Sequence, residues 1–256
     1  MIEITEKDDP RINLFFNYRD KDLLREGLFI TEGNILTQRL IHSSLKTVSI
    51  LSTEKFKYNY GDTKAPTYIA DEKLLKDIAG YNFHRGVLGI GQIPTLLEIK
   101  DVVLNKSYLK LAVCPDLTDE ENLGSIIRTA AALGLDAVIC GEECCSPFSR
   151  RAIRVAMGSQ FFLPIVISKN VIDDLTFLKE SEISIVASIL NDNAIDLKNF
   201  QTPKKAALLF GREGPGLDQK IIDLSTDFVK ISMKNSIDSL NVSTAAGILL
   251  YDLFYS

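Results

Sequence analysis

No apolar run in this chain approaches the roughly 20 residues that a membrane-spanning helix needs. The first twenty residues, MIEITEKDDPRINLFFNYRD, are charged throughout. Neither a membrane span nor a signal peptide is expected, and the protein is expected in the cytoplasm. Histidine is scarce, with only His42 and His84 available as ligands. The four cysteines, Cys114, Cys140, Cys144 and Cys145, follow no zinc-ribbon or thioredoxin spacing. No metal site is expected, and the thiols read as reduced and structural. Positive charge is in deficit as well, because the formal net charge is −5. That argues against bulk attraction to nucleic acid and leaves only a local basic face for such a role. Neither the dinucleotide spacing G-x-G-x-x-G nor a Walker lysine is present, which disfavours a nicotinamide or nucleoside-triphosphate enzyme. There is no internal repeat and no low-complexity tract.

What is present is an ordinary globular composition, 46% hydrophobic and 25% charged, in 256 residues that accommodate two domains. Residues 1–93 alternate helix and strand candidates: NYRDKDLLREG, LFITEG, NILTQRLIHSS, TVSILST, PTYIAD, DEKLLKDIAG and GVLGIG. They predict a small α/β domain. Residues 94–107 read as a linker. Residues 108–256 alternate regularly, with the strand candidates YLKLAVC, LDAVIC, FFLPIVI, EISIVASIL, KAALLFG and DFVKISM separated by helix candidates. These strands are short apolar runs and not alternating ones, as expected of a mostly parallel sheet with helices on both faces. Ligands in such sheets bind beyond the carboxyl ends of the strands.

Three stretches after strands carry the chemistry. In NLGSIIRTAAALG, the residues Ile126, Ala130 and Leu133 share a helix face, and Arg128 lies roughly opposite. Arg128 reads as a solvated surface residue or as a phosphate-recognising fork. Asn122 reads as a helix cap or as a site residue. In FGREGPG, three glycines follow a buried strand and permit positive φ or close approach of a ligand to the backbone. Glu213 there either binds substrate or stabilises the helix that follows. In KISMKNSIDSLNVSTAAGILLYDLF, the residues Ser239, Asn241, Ser243 and Thr244 crowd the entrance of an apolar helix. Capping explains one of them; the surplus points to a site.

Together the three stretches resemble the SpoU (TrmH-like) family of RNA ribose 2′-O-methyltransferases, within the SPOUT superfamily. Asn122–Ala130, Phe210–Gly216 and Ile231–Ala245 match its three motifs in order. FFNYRDKDLLREGLFITEG and HRGVLGI look like the start and close of its small substrate-binding domain. The resemblance implies a catalytic domain with a C-terminal trefoil knot, S-adenosylmethionine as cofactor, and a homodimer with sites at the subunit interface. It matches Gly211, Ile231 and Leu240, with Met233 and Ser188, to cofactor-contacting positions. It matches Asn122, Arg128, Glu213, Ser239 and Asn241 to the catalytic group. Two positions depart from the pattern. Ser232 stands where proline is usual, which predicts a less rigid cofactor loop, and Glu120 and Glu121 precede the first motif where proline is frequent.

The expected reaction is methylation of a ribose 2′-hydroxyl in structured RNA. The separate N-terminal domain favours ribosomal RNA over tRNA, and a catalytically silent RNA-binding or assembly protein is the reading from a different class. In this scheme Arg128 clamps a substrate phosphate and polarises the hydroxyl, since a guanidinium stays protonated and is no simple base. Asn122, Ser239 and Asn241 hold the ribose and loop, Glu213 orients Arg128 or the nucleotide, and no metal takes part. For RNA grip the candidates are Arg19, Lys21 and Arg25 in the first domain and Arg150, Arg151 and Arg154 in SRRAIR.

Overall fold

The computed structural model describes residues 1–16, 20–61, 63–80, 83–104, 106–191, 193–234 and 239–255. Its strands are β1 (Ile2–Glu3), β2 (Leu28–Glu32), β3 (Thr47–Thr53), β4 (Thr67–Ala70), β5 (Val87–Gln92), β6 (Leu109–Cys114), β7 (Ala137–Cys140), β8 (Ile165–Ile167), β9 (Ser184–Ser188), β10 (Ile195–Asp196), β11 (Lys205–Leu209) and β12 (Asp227–Lys230). Its α-helices are α1 (Asp20–Arg25), α2 (Asn34–Ile41), α3 (Glu72–Ala79), α4 (Ile99–Val103), α5 (Glu120–Ala132), α6 (Arg150–Val155), α7 (Val171–Glu180), α8 (Gln219–Leu224) and α9 (Val242–Phe254). The chain forms two compact units. One is Met1–Thr95 with Phe148–Phe162, the other Leu96–Pro147 with Leu163–Ser256.

The first unit is built on a five-stranded sheet in the order β1-β4-β3-β5-β2. β1, β4 and β3 run parallel, while β5 runs antiparallel to both β3 and β2. α3 shows how local sequence sets an element here. Asp71 caps it by accepting from Leu74 N at 2.7 Å, and Gly80 ends it at φ 75°. The segment Phe148–Phe162, expected within the C-terminal domain, groups with this unit instead. Phe29 of β2 meets the rings of Phe148 and Phe161 at centroid distances of 5.6 and 5.3 Å. Arg150 adds polar ties: its backbone N donates to Asp20 at 2.9 Å, and its guanidinium lies 3.2 Å from Asp20 and 3.4 Å from Glu32.

The second unit holds a seven-stranded sheet, β10-β12-β9-β11-β6-β7-β8, in which every neighbouring pair is parallel. Alternate strand residues such as Leu109, Leu111, Val113, Ile185 and Leu209 enter one core with Leu175 and Leu178 of α7 and Ile221 of α8. α5 and α9 pack against each other, and their buried residues, among them Ile126, Ala130, Leu249 and Leu250, lie outside that cluster. The stretch 94–107, read above as a linker, is divided between the units. α4 lies within it, and Ile99 and Val102 are buried in the core of the second unit. The run DFVKISM leaves the sheet early. β12 ends at Lys230, so Ile231, Ser232 and Met233 form no strand.

The aromatic seam of the first unit yields a stability prediction. Phe29 is 1% exposed, so Phe29→Ala is expected to cost about 3–5 kcal/mol, read as a lowered urea midpoint and faster proteolysis near residues 148–162. An unchanged midpoint refutes the assignment of this segment to the first unit.

Candidate functional site

The second unit carries a cavity of about 720 Å³ at the carboxyl ends of β9, β11 and β12, closed by the start of α9. Its position follows from strand order. β11 lies between β9 and β6, and β12 lies on the other side of β9, so three loops distant in sequence leave the sheet side by side. The five residues expected to touch a cofactor, Ser188, Gly211, Ile231, Met233 and Leu240, all line this space.

The glycine loop after β11 is a self-contained turn. Phe210 N donates to Val113 O at 2.9 Å, and Gly216 N closes back onto Arg212 O at 3.0 Å. Gly214 and Gly216 sit at φ 84° and 73°, where side chains other than glycine are strained. A Cβ on Gly211 would stand 2.5 Å from the Gly216 carbonyl carbon and 2.6 Å from Leu217 N. Glycine at 211 is thus demanded first by the turn itself, and the room it leaves for a ligand is secondary.

Asn122, Glu213 and Asn241 come from the three motifs and meet in one hydrogen-bonded group. Asn241 Nδ2 donates to Asn122 Oδ1 at 2.9 Å and to Glu213 Oε1 at 2.5 Å. Asn122 Nδ2 also donates to Glu213 Oε1, at 3.2 Å. Asn122 does not cap α5. That role belongs to Asp119, which accepts from Glu121 N at 2.7 Å and Asn122 N at 2.9 Å. Asn122 sits in the first turn at 9% exposure, its amide free to join the group. Asn241 has two roles. Its Oδ1 caps α9 by accepting from Ser243 N at 2.9 Å, Thr244 N at 3.3 Å and Ser243 Oγ at 2.6 Å. The crowded helix entrance is therefore largely one asparagine serving cap and network together. Ser239 lines the cavity.

Arg128 is not brought to this place. It is exposed on α5 and absent from the cavity wall. The reason is helical phase: six residues after Asn122, at about 100° each, turn it some 240° around the axis. The arginine that does line the cavity is Arg212, a residue the motif reading passed over. Its Nε lies 2.8 Å from Asp116 Oδ2. Asp116 follows β6, a position that the strand-end rule could have flagged; nothing in the glycine motif singled out Arg212. Lys230 also lines the cavity, with its Nζ donating to Asn191 O at 3.0 Å.

The loop expected to be loosened by Ser232 is tied instead. The Ser232 hydroxyl donates to Asp196, which also accepts from Lys198 N at 3.0 Å. The Ser232 hydroxyl, followed by the Lys198 amide, holds the Asp196 carboxyl below the usual carboxylate range. All four cysteines are free thiols. Burial pushes Cys114 up, and Cys144 and Cys145 are raised chiefly by thiol hydrogen bonds, so none of these three is an activated thiolate. Among the described residues no group of three His, Cys, Asp or Glu is placed to hold a metal ion, and no helix is long and apolar enough to cross a membrane.

The expected RNA contacts among the described residues, Lys21, Arg25, Arg150, Arg151 and Arg154, belong to the first unit. Arg19 lies outside the described residues. Lys21, Arg25 and Arg151 are exposed, and Arg154 is half-buried. Arg150 is not a free cation, because Asp20 and Glu32 already engage its guanidinium.

Comparison with known proteins identifies the family. Residues 111–251 match the model of the SpoU rRNA Methylase family. An uncharacterized tRNA/rRNA methyltransferase of Mycobacterium tuberculosis (strain ATCC 25618 / H37Rv) is 33% identical over 263 residues, covering 98% of this chain and 90% of the relative. The 23S rRNA (guanosine(2553)-2′-O)-methyltransferase of Bacillus subtilis is 27% identical, covering 91% of each chain. Among solved structures, the AdoMet-bound rRNA methyltransferase of Sinorhizobium meliloti superposes with a TM-score of 0.84 at 24% identity, over 98% of this chain and 96% of that one. With a family match over more than half its length and a relative 33% identical along nearly all of it, the chain belongs to the SpoU rRNA Methylase family.

Proposed function

We propose that this protein methylates a ribose 2′-hydroxyl of structured RNA, with ribosomal RNA as the substrate class and S-adenosylmethionine as the methyl donor. The observation that carries the reading is the meeting of Asn122, Glu213 and Asn241 beside the glycine-loop cavity. A cavity of about 720 Å³ is within the usual range for a small-molecule site. Its wall combines exposed loop backbone at Gly211–Gly216 with the apolar Ile231, Met233 and Leu240, which suits a nucleoside carrying a charged tail. The bound donor supplies a methyl group on a sulfonium, already activated for transfer. What remains for the chain is to align a hydroxyl with it and to assist loss of the proton.

Each of the three motif residues has a part in that alignment. The two asparagine amides hold the Glu213 carboxylate in one orientation, and Glu213 in turn positions the nucleotide. Ser239 offers a hydroxyl at the cavity wall for the ribose. Ribosomal RNA is favoured over tRNA by the 23S rRNA specificity of the Bacillus subtilis relative, which matches across 91% of this chain. The first unit adds a surface suited to RNA in its segment EKFKYNY. Tyr58 is 83% exposed there, with Lys57 Nζ 5.0 Å from its ring centre. The segment is pinned from behind by Tyr60, whose hydroxyl donates to Asn34 Oδ1 at 2.7 Å, and by Asn59, whose Nδ2 donates to the same oxygen at 2.8 Å. An aromatic ring presented among lysines is a stacking platform for an unpaired base.

The homodimer and the trefoil knot belong to the same proposal. Ile248, Tyr251 and Tyr255 leave 40%, 53% and 62% of their surfaces exposed along α9 and its end, beside the helix that bears Arg128. Such an exposed apolar patch is suited to a second copy, and in that arrangement Arg128 reaches the cavity of the partner copy. The knot reading is supported by strand order. β11 enters between β9 and β6, both laid down before it, and β12 then pairs with β9.

Three outcomes test these readings. Asn241→Ala removes both amide donations and the α9 cap. Methyl transfer to ribosomal RNA is expected to fall about 100-fold, while calorimetric affinity for S-adenosylmethionine stays within a few-fold. Undiminished turnover rejects the alignment role, and absence of any cofactor binding by the natural protein favours the silent RNA-binding alternative. Arg128→Ala and Glu213→Ala are each expected to be inactive. Co-refolded together they are expected to regain part of the activity, because a mixed dimer holds one site with both natural residues; a mixture that stays inactive rejects the shared site. Tyr58→Ala is expected to weaken binding of protein-free ribosomal RNA about 10-fold in a filter assay, with Tyr58→Phe close to the natural protein. Equal binding by Tyr58→Ala removes this surface from the RNA interface.

A further inference from the structure

Asp116 and Arg212 form a pair whose energetics and position call for a role beyond holding the fold. The Asp116 side chain is 15% exposed and that of Arg212 is 48% exposed, with Nε 2.8 Å from Oδ2. The second carboxylate oxygen of Asp116, Oδ1, is buried with no hydrogen-bond partner among the described residues. A half-exposed ion pair contributes little to stability, and a buried carboxylate oxygen without a donor costs free energy. Consistent with that cost, burial raises the Asp116 carboxyl although Arg212 draws it down. The pair is therefore a poor stabiliser of the loop, which Gly211 and the Gly216–Arg212 hydrogen bond already close.

It is a good device for aiming a guanidinium. Arg212 belongs to the glycine turn and lines the cavity next to Glu213. Asp116 engages Nε at 2.8 Å, and among the described residues the Arg212 guanidinium makes no second ion pair. A guanidinium fixed at Nε presents its two terminal amines as a fork, whose spacing matches two oxygens of a phosphate. Arg212 is also the arginine that this chain itself supplies to the cavity, since Arg128 is not on its wall.

We propose that Arg212 binds a backbone phosphate of the RNA beside the target ribose, and that Asp116 is the positioning residue that orients it. The inference rests on the RNA methyltransferase reading above and adds to it a ligand class for two residues outside the catalytic group implied by the motifs. The phosphate contact anchors the nucleotide whose ribose faces Glu213 and Ser239, so its effect appears in RNA binding more than in cofactor binding.

The test compares the natural protein with Arg212→Gln, Arg212→Lys and Asp116→Asn. It uses methyl transfer to protein-free ribosomal RNA, RNA binding across a salt series, and S-adenosylmethionine calorimetry. Arg212→Gln is expected to raise KM for RNA about 10-fold and to reduce the slope of log affinity against log salt by about one. Cofactor affinity is expected to stay unchanged. Arg212→Lys keeps the charge, so the salt slope returns while KM recovers only in part; it also carries the test if the glutamine variant fails to fold. Asp116→Asn is expected to raise KM with the salt slope intact, and to add little on top of Arg212→Gln. Unchanged RNA affinity and slope in Arg212→Gln overturn the inference while leaving the methyltransferase reading standing. A loss of cofactor affinity instead also overturns it, by assigning Arg212 to the carboxylate of the methionine moiety. Failure of the natural protein to bind either RNA or cofactor overturns both readings.

Discussion

One side-chain amide, that of Asn241, ties together parts of the chain that are otherwise far apart. Its nitrogen reaches Asn122, 119 positions earlier, and Glu213, 28 positions earlier, while its oxygen starts α9. The group is small, with Asn122 buried and Glu213 and Asn241 exposed, yet it sets the register of three loops at once. If α9 began one residue later, Oδ1 would lose its cap and Nδ2 its two acceptors together. Geometry of this kind constrains more than it stabilises, because each hydrogen bond is worth only about 1 kcal/mol net but their directions are mutually dependent.

The sheet makes that meeting possible. Parallel strands all release their loops at the same edge, and the order β9-β11-β6 places the glycine turn directly between loops laid down earlier. The cavity is a consequence of topology, and the glycines are a consequence of the turn needed there. Gly211 is excluded from carrying a side chain by the backbone of Gly216 and Leu217, whether or not a ligand is bound. Ser232 shows the same economy. Where a proline ring would restrict the loop covalently, a hydroxyl donated to Asp196 restrains it through a neighbouring strand.

Charge is arranged locally within an acidic chain. The formal net charge of −5 leaves no general attraction for a polyanion, so phosphate recognition has to come from particular cations held in particular places. Several are already occupied. Arg150 is taken up by Asp20 and Glu32 within the first unit, and Lys230 donates to the Asn191 carbonyl. Counting arginines in SRRAIR overstates the basic surface, because the carboxylates that meet Arg150 come from α1 and β2, more than a hundred residues away in sequence.

The sequence by itself determined the alternation of strands and helices, the parallel character of the second sheet and the three motifs that name the family. All of these depend on local periodicity or on short strings of residues. The strand TVSILST was legible to the residue, and Gly211, Ile231 and Leu240, grouped by the motifs, do line one cavity. Tertiary structure decided which partner each side chain meets. It brought Asn122 to Glu213 and Asn241, returned Phe148–Phe162 to the first unit, and put Arg212 instead of Arg128 on the cavity wall. Periodicity reports that a face of an element is covered or exposed; it carries no record of which distant element does the covering. That is fixed only when strand order closes the loops upon one another.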